Sequence, residues 1–225
     1  MKNGTAALFQ DNSAHGEDSQ VSKELTHTSC LDAVLDGVSR CEGAYASGFT
    51  AQMLQDAPIE SLEDVISALE QANEVLFQGG KGRNLLTTVS IALKIDDRLH
   101  VLNAGDSPIY LIRDGEIREL TTIVKSGMFT SATTNAVGLH EGFAYESGLE
   151  VLQPQDWLIL ATDGLPNNIL PQELLAIVEG APSPDSVVAA LRALVSEKRR
   201  LNRGRDDTFG TFREDDQTAI IRAIE

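Results

Sequence analysis

Short apolar runs bounded by turn-forming residues alternate along the chain with longer amphipathic stretches, which predicts mixed α and β structure. The runs predict strands over Ala6–Gln10, Leu31–Leu35, Leu85–Ile95, Leu99–Ala104, Pro108–Arg113, Trp157–Thr162 and Thr218–Ala223. Between Leu111 and Ile117 the Asp114-Gly115 pair supplies a hairpin turn. From Ser61 to Phe77, Leu62, Val65, Ile66, Leu69 and Leu76 form one stripe at helical spacing, and Ser61 with Asp64 has the form of a capping box. A second helix is predicted over Ser183–Lys198, with Val187, Val188, Leu191, Leu194 and Val195 turned inward. A third runs Pro171–Glu179, opened by Pro171 and stopped at Gly180, and a fourth, less regular pattern covers Ala44–Leu54. Strands joined by short turns favour antiparallel pairing, with the helices on the sheet faces. No repeat or linker interrupts the pattern, so residues 1–225 are read as one domain.

Composition narrows the function. A chain of 225 residues can bury a sizeable core. No apolar run approaches the roughly 20 residues that cross a bilayer. The start, Met1-Lys2-Asn3-Gly4-Thr5, lacks the apolar stretch of a secretory signal. Cys30 and Cys41 are too few for a disulfide scaffold and are not spaced for zinc, which suits a reducing compartment. A cytoplasmic protein with no membrane partner is expected. Thirty-four acidic residues against 18 basic ones give a formal charge of −16. A field of that sign repels polynucleotides and attracts divalent cations, so nucleic acid is not an expected partner.

The acidic residues are not scattered evenly. Three apolar runs lead directly into an aspartate beside glycine: Ala33-Val34-Leu35-Asp36-Gly37, Val101-Leu102-Asn103-Ala104-Gly105-Asp106-Ser107 and Ile159-Leu160-Ala161-Thr162-Asp163-Gly164. Asp215-Asp216 stands just before the last strand, and Glu17-Asp18 lies between the first loop and a strand. Strands sharing one core can bring such carboxylates to one rim. Crowded carboxylates raise one another's pKa values, and a hard dication relieves that repulsion; all-oxygen ligation suits magnesium or manganese better than zinc. Taken singly, Asp-Gly after a strand is a common turn, as at Asp114-Gly115.

The ordered set Glu17-Asp18-Ser19, Ala33-Val34-Leu35-Asp36-Gly37, Thr87-Thr88, Asn103-Ala104-Gly105-Asp106-Ser107, Leu160-Ala161-Thr162-Asp163-Gly164-Leu165 and Asp215-Asp216-Gln217-Thr218 resembles the metal-dependent type-2C protein phosphatases. The resemblance implies an α+β fold, a four-layer α-β-β-α sandwich of two stacked antiparallel sheets. It implies two divalent ions, Mn2+ or Mg2+, that activate a water to hydrolyse phosphoserine and phosphothreonine on proteins. Carried over by position, Asp36 looks like the carboxylate shared by both ions and the Gly37 carbonyl like a ligand of the second. Asp163 and Asp215 look like ligands of the first, and with Asp36 they form the catalytic set. Glu17 is similar to the residue that holds the second ion through water, with Asp18 in support. Asp106 matches the position that, with Asp163, takes a third metal in many relatives. Asp216 replaces the usual asparagine. A monomer acting on a phosphorylated protein is expected.

Several family features are absent, and their loss touches phosphate recognition more than metal binding. Ser13, Ala14 and His15 stand where an arginine often precedes the Glu-Asp pair, and Val38-Ser39-Arg40 replaces His-Gly-Gly. Pro108 stands where arginine is common, the Asp-His-Ser segment is missing after Thr121, and the Thr122–Tyr145 flap region is atypical. Arg40, whose planar fork suits phosphate oxygens, and His15, as a proton donor, are the candidate substitutes. The competing reading is a binding or regulatory module that holds metal but turns over little. Lys198-Arg199-Arg200, with Arg203 and Arg205, could dock an acidic partner or simply favour a helix C-terminus. Trp157 is read as core.

Overall fold

In chain order the strands are β1 (Thr5–Asp11), β2 (Ser19–Glu24), β3 (Ser29–Leu35), β4 (Val89–Ile95), β5 (Arg98–Ala104), β6 (Ile109–Arg113), β7 (Glu116–Glu119), β8 (Glu146–Val151), β9 (Trp157–Ala161) and β10 (Gln217–Ala223). Helices α1 (Gly43–Asp56) and α2 (Leu62–Gly80) separate β3 from β4, and α3 (Pro171–Glu179) and α4 (Pro184–Asn202) separate β9 from β10. The computed structural model describes residues 1–121, 135–202 and 212–225. Most of the flap region, residues 122–134, and Arg203 and Arg205 of the basic run lie outside the described residues.

The strands make two five-stranded antiparallel sheets, ordered β1-β10-β9-β6-β7 and β2-β3-β4-β5-β8. Alternation along the strands explains the layers. In β9, Leu158 and Leu160, with Ile220 of the neighbouring β10, face the other sheet, where they meet Val34, Ala92 and Val101, while Ile159 and Ala161 face the helices with Phe9, Leu174, Val187 and Leu191. On the opposite outer face, Leu31, Leu35, Ile91 and Leu93 pack against Leu54, Val65, Leu69 and Leu76. Strands buried on both faces read as unbroken apolar runs, which is why the sequence exposes them. The result is the α-β-β-α sandwich expected from the resemblance.

The punctuation follows local chemistry. Ser61 accepts from the Asp64 N–H, and the Asp64 carboxylate accepts from the Ser61 N–H, so the capping box forms as predicted. Asp114 and Gly115 both take left-handed backbone, φ 52° and 77°, and close the β6–β7 hairpin. The strand predicted from Leu85 starts only at Val89: Leu85 has φ 60° and donates its N–H to the Cys41 carbonyl at 2.7 Å, breaking the extended run. Two strands, β2 and β8, lie outside the predicted set. Both are sheet edges, and among their residues only Val21 is buried.

At one end of the sandwich a buried ion pair ties the sheets together. Arg222 on β10 meets Asp32 on β3 through Nε at 2.6 Å and Nη2 at 2.9 Å, and its Nη1 reaches Glu24 on β2. β3 runs from that region towards Asp36 at the opposite end, and β10 starts beside Asp215 there and runs back to Arg222.

Candidate active site

Asp36 leaves the end of β3 with its backbone held on three sides: its N–H meets the Thr88 hydroxyl at 3.2 Å, and its carbonyl accepts from the Thr88 N–H at 2.8 Å and the Thr87 hydroxyl at 2.9 Å. The next residue must be glycine for a reason the sequence does not display. A Cβ on Gly37 would lie 2.4 Å from the Gly43 carbonyl carbon and 2.6 Å from the Glu17 carbonyl oxygen. Two glycines thus face each other where the loop after β3 meets the start of α1. Gly164 is similarly obligatory, because a Cβ there would sit 2.0 Å from the Asp216 carbonyl oxygen. In both places glycine serves close backbone approach rather than an unusual turn.

Asp163, just past β9, accepts from the Asn167 side-chain amide at 3.0 Å. Asn168 holds the same loop to the segment before β10: its amide reaches the carbonyls of Gly164 and Arg213, each at 2.9 Å, and its carbonyl accepts from the Arg213 N–H at 2.8 Å. Asp215 follows, half-exposed, with His15 Nδ1 at 3.3 Å from its carboxylate. Asp216 turns the other way and is buried. Its two oxygens accept three backbone N–H groups, from Ala14 at 3.1 Å, His15 at 2.9 Å and Glu17 at 2.7 Å. It thereby fixes the loop that carries Glu17 and Asp18. The two adjacent acids then diverge: Glu17 receives the Ser39 hydroxyl, while Asp18 is buried and receives the Thr162 hydroxyl at 2.7 Å.

The carboxylates sense one another. Burial first, then Asp18, Asp163, Asp106 and Asp215, push the Asp36 carboxyl well above the ordinary aspartate range. Asp163 is raised to about 6, by burial and by Asp106 and Asp215, although the Asn167 and Asp36 hydrogen bonds pull the other way. Asp18 is raised to about 7, chiefly by burial, with Asp216 and Asp215 adding to it. Among the described residues no three His, Cys, Asp or Glu side chains close tightly enough to cage an ion by themselves. That spacing does not disqualify the set. Magnesium-like sites keep several waters and rest on one or two carboxylates. The donor chemistry is all oxygen, the acids are short of positive charge, and the Gly37 carbonyl stands in a space no side chain could share. The residues fit a pair of hard dications.

Of the predicted site residues, Asp36, Asp106, Asp163, Asp215 and Asp18 fall within one field, and Glu17 and Gly37 meet through backbone at 3.2 Å. Arg40 is exposed, in left-handed backbone with φ 67°, and has no hydrogen bond or ion pair among the described residues. Sequence reading missed Asn167, Asn168, Arg213 and the work of Asp216. Arg213 reaches the Asn167 side-chain oxygen at 3.5 Å, and Asn167 in turn donates to Asp163. The Asn167-Asn168 pair carried no signal beyond that of turn residues.

A profile of the family described as Stage II sporulation protein E (SpoIIE) matches residues 41–220. The chain belongs to this SpoIIE/PP2C-type family. Relatives are named accordingly: it is 25% identical over 141 residues to a "Putative protein phosphatase 2C-type" of Streptococcus pyogenes, covering 54% of this chain and 57% of that protein. It is 29% identical over 130 residues to "Protein phosphatase PhpP" of Streptococcus pneumoniae, covering 49% and 53%. The chain thus spans about half the length of the curated relatives it matches. The crystal structure of serine/threonine phosphatase Stp1 from Staphylococcus aureus superposes with a TM-score of 0.80 at 19% identity, over 100% of this chain and 98% of that one. This likeness establishes the PP2C-type sandwich for the chain. No helix among the described residues is long and apolar enough to cross a membrane.

Two members of the basic run, Lys198 and Arg199, are absorbed into the fold, while Arg200 is exposed. Lys198 pairs with Glu173, and Arg199 pairs with Asp11 and stacks over Phe212 at 5.1 Å. Trp157 is half-buried against the α3–α4 layer, and Cys30 and Cys41 are unpaired thiols.

Proposed function

We propose that the chain hydrolyses phosphoserine and phosphothreonine monoesters on proteins, with manganese or magnesium ions held by Asp36, Asp163 and Asp215. One observation carries the reading: carboxylates from three separate strand ends lie in one field and raise one another's proton affinity, a cost that bound dications would remove. Relatives named as protein phosphatases supply the reaction class. In this reading the Gly37 carbonyl and Glu17 attend the second ion, Asp106 with Asp163 a third, and residues 1–225 act as one monomeric catalytic domain in the cytoplasm.

When bound, the dications supply Lewis acidity, activating water near neutral pH and offsetting charge on the phosphoryl oxygens. The chain's own groups do the rest. Thr87 and Thr88 fix the Asp36 backbone, Asn167 aims Asp163, and Asp216 sets the loop bearing Glu17. Arg40 and Arg213 are exposed guanidinium groups available to phosphoryl oxygens. Hydrolysis breaks the bond between phosphorus and the serine or threonine oxygen, which leaves as an alkoxide and takes up a proton. His15, exposed beside Asp215, can deliver that proton from its ring.

The test is release of nitrophenol from an aryl phosphate, and of phosphate from a phosphothreonine peptide, as manganese is added. Turnover should appear with metal, and Asp36→Asn and Asp163→Asn should each abolish it while the thermal unfolding of the metal-free protein stays intact. Wild-type rates in both variants would overturn the assignment. The second reading, a metal-holding module with little turnover, draws on the loop at Ala14–His15, which offers no guanidinium beside the acids. Metal binding without phosphate release at any metal concentration would select it.

A further inference from the structure

Of the residues that α2 buries, only Asn73 carries a polar side chain. An apolar group would satisfy the packing between Leu69 and Leu76, and a buried amide is costly unless its groups are paired. Asn73 pairs them with main chain of the segment that leads into β8. Its oxygen accepts the Gly138 N–H at 2.8 Å, and its nitrogen donates to the His140 carbonyl at 3.0 Å and the Glu141 carbonyl at 3.4 Å. The tie continues towards the carboxylate cluster. Val137 exchanges both backbone hydrogen bonds with Thr87, at 2.8 and 3.3 Å, and Thr87 bridges to Gly37 on its other side. The Thr87 hydroxyl and the Thr88 N–H hold the Asp36 carbonyl, and the Val38 N–H meets the Leu86 carbonyl at 2.9 Å. Ala136, Val137 and Gly138 are buried, and a Cβ on Gly138 would lie 2.4 Å from the Leu85 carbonyl oxygen, so the segment lies hard against its neighbour.

We infer that Asn73 is a positioning residue for the metal-binding loop: from α2 it sets, through Gly138, Val137 and Thr87, where the Asp36 carboxylate and the Gly37 carbonyl stand. The inference rests on the phosphatase reading and deepens it, because it extends the site to a side chain that touches neither ion nor substrate. Asp36 and Gly37 stand beyond the end of β3, and there the 86–88 segment takes over the task of holding their main chain. What holds 86–88 in place therefore bears on the ions. On the side away from Gly37 that is Val137, next to the residue whose N–H Asn73 accepts. Alanine at position 73 would leave the buried Gly138 N–H without this acceptor and free the segment to move. Groups that hold a metal ligand from behind are worth about 10- to 100-fold in metal affinity, because they fix the ligand before the ion arrives.

The experiment measures manganese affinity by calorimetry, below every melting transition, in the wild type, Asn73→Ala, Thr87→Val and the double variant. Leu69→Ala is the control: it removes buried packing from α2 one turn earlier but no hydrogen bond. Asn73→Ala and Thr87→Val should each weaken manganese binding about tenfold. The double variant should also lose about tenfold, because the two side chains act along one path, whereas independent effects would multiply to about a hundredfold. Leu69→Ala should bind manganese as the wild type does. In the metal-free proteins, hydrogen exchange at the Val38 and Thr88 N–H groups should speed up in Asn73→Ala and not in Leu69→Ala. Should the alanine variant not fold, Asn73→Ser takes its place in the same comparison with the same expectation. Wild-type affinity in the position-73 variant overturns the inference, as does a hundredfold loss in the double variant or an equal loss in Leu69→Ala. If the wild type neither binds manganese nor releases phosphate, the phosphatase reading fails on its own, and the exchange rates at Val38 and Thr88 still decide whether Asn73 holds the loop.

Discussion

Asp216 shows how much a single side chain can organise. A carboxylate that takes three backbone N–H groups replaces the turn hydrogen bonds that the Ala14–Glu17 segment does not make with itself. An asparagine has one acceptor oxygen and could not serve all three donors. Asp216→Ala should therefore destabilise the protein by about 1–3 kcal/mol, read by urea unfolding, because buried donors lose their partner. It should also weaken manganese binding by calorimetry, since Glu17 loses its anchor. Unchanged stability and unchanged affinity together would remove Asp216 from this role. The sequence shows two adjacent aspartates before a strand, but not that one faces the cluster while the other faces a loop some 200 positions away; that division depends on β10 lying beside β1.

Between elements, the clearest joint is Arg222 with Asp32, both almost fully buried, one on each sheet. Removing Asp32 leaves a guanidinium in the core, where its desolvation is no longer offset. Asp32→Ala should cost about 3–5 kcal/mol by denaturant unfolding, and a cost under about 1 kcal/mol would show the pair to be dispensable. This joint was invisible in the sequence, because Asp32 sits inside an apolar run and Arg222 inside another. The helices were legible for the opposite reason: α2, α3 and α4 each carry one apolar stripe and marked ends, as with Ser61 and Pro171. The doubly buried strands β3, β4, β5 and β9 were legible as runs of Val, Ile and Leu. Strands β2 and β8 were not, since an edge strand with at most one buried side chain shows no apolar alternation, and Ser19–Glu24 reads as a polar loop until β3 pairs with it.

At the scale of the whole molecule, the site is a store of unfavourable charge. Asp18, near 7, and Asp163, near 6, have folded-state values above the unfolded aspartate value, and Asp36 is displaced in the same direction. In each case the folded protein binds the proton more tightly than the unfolded chain does. The stability these groups confer is present below about pH 4 and is lost as pH rises through about 6 to 7. Melting of the metal-free protein should thus fall in temperature from about pH 5 to about pH 7.5, and saturating manganese should flatten or reverse that slope, because ions replace the protons. A metal-free melting temperature that rises over this interval would contradict the electrostatic picture. The five strand-end acids were readable as positions, but their convergence was not; it depends on β2, β3, β5, β9 and β10 sharing one stack of sheets.

Anomalous diffraction from a manganese-loaded crystal tests that convergence most directly. The account predicts manganese peaks among the carboxylates of Asp36, Asp163 and Asp215, with the Gly37 carbonyl turned towards one of them. A well-ordered crystal at saturating manganese with no peak among those side chains would contradict it.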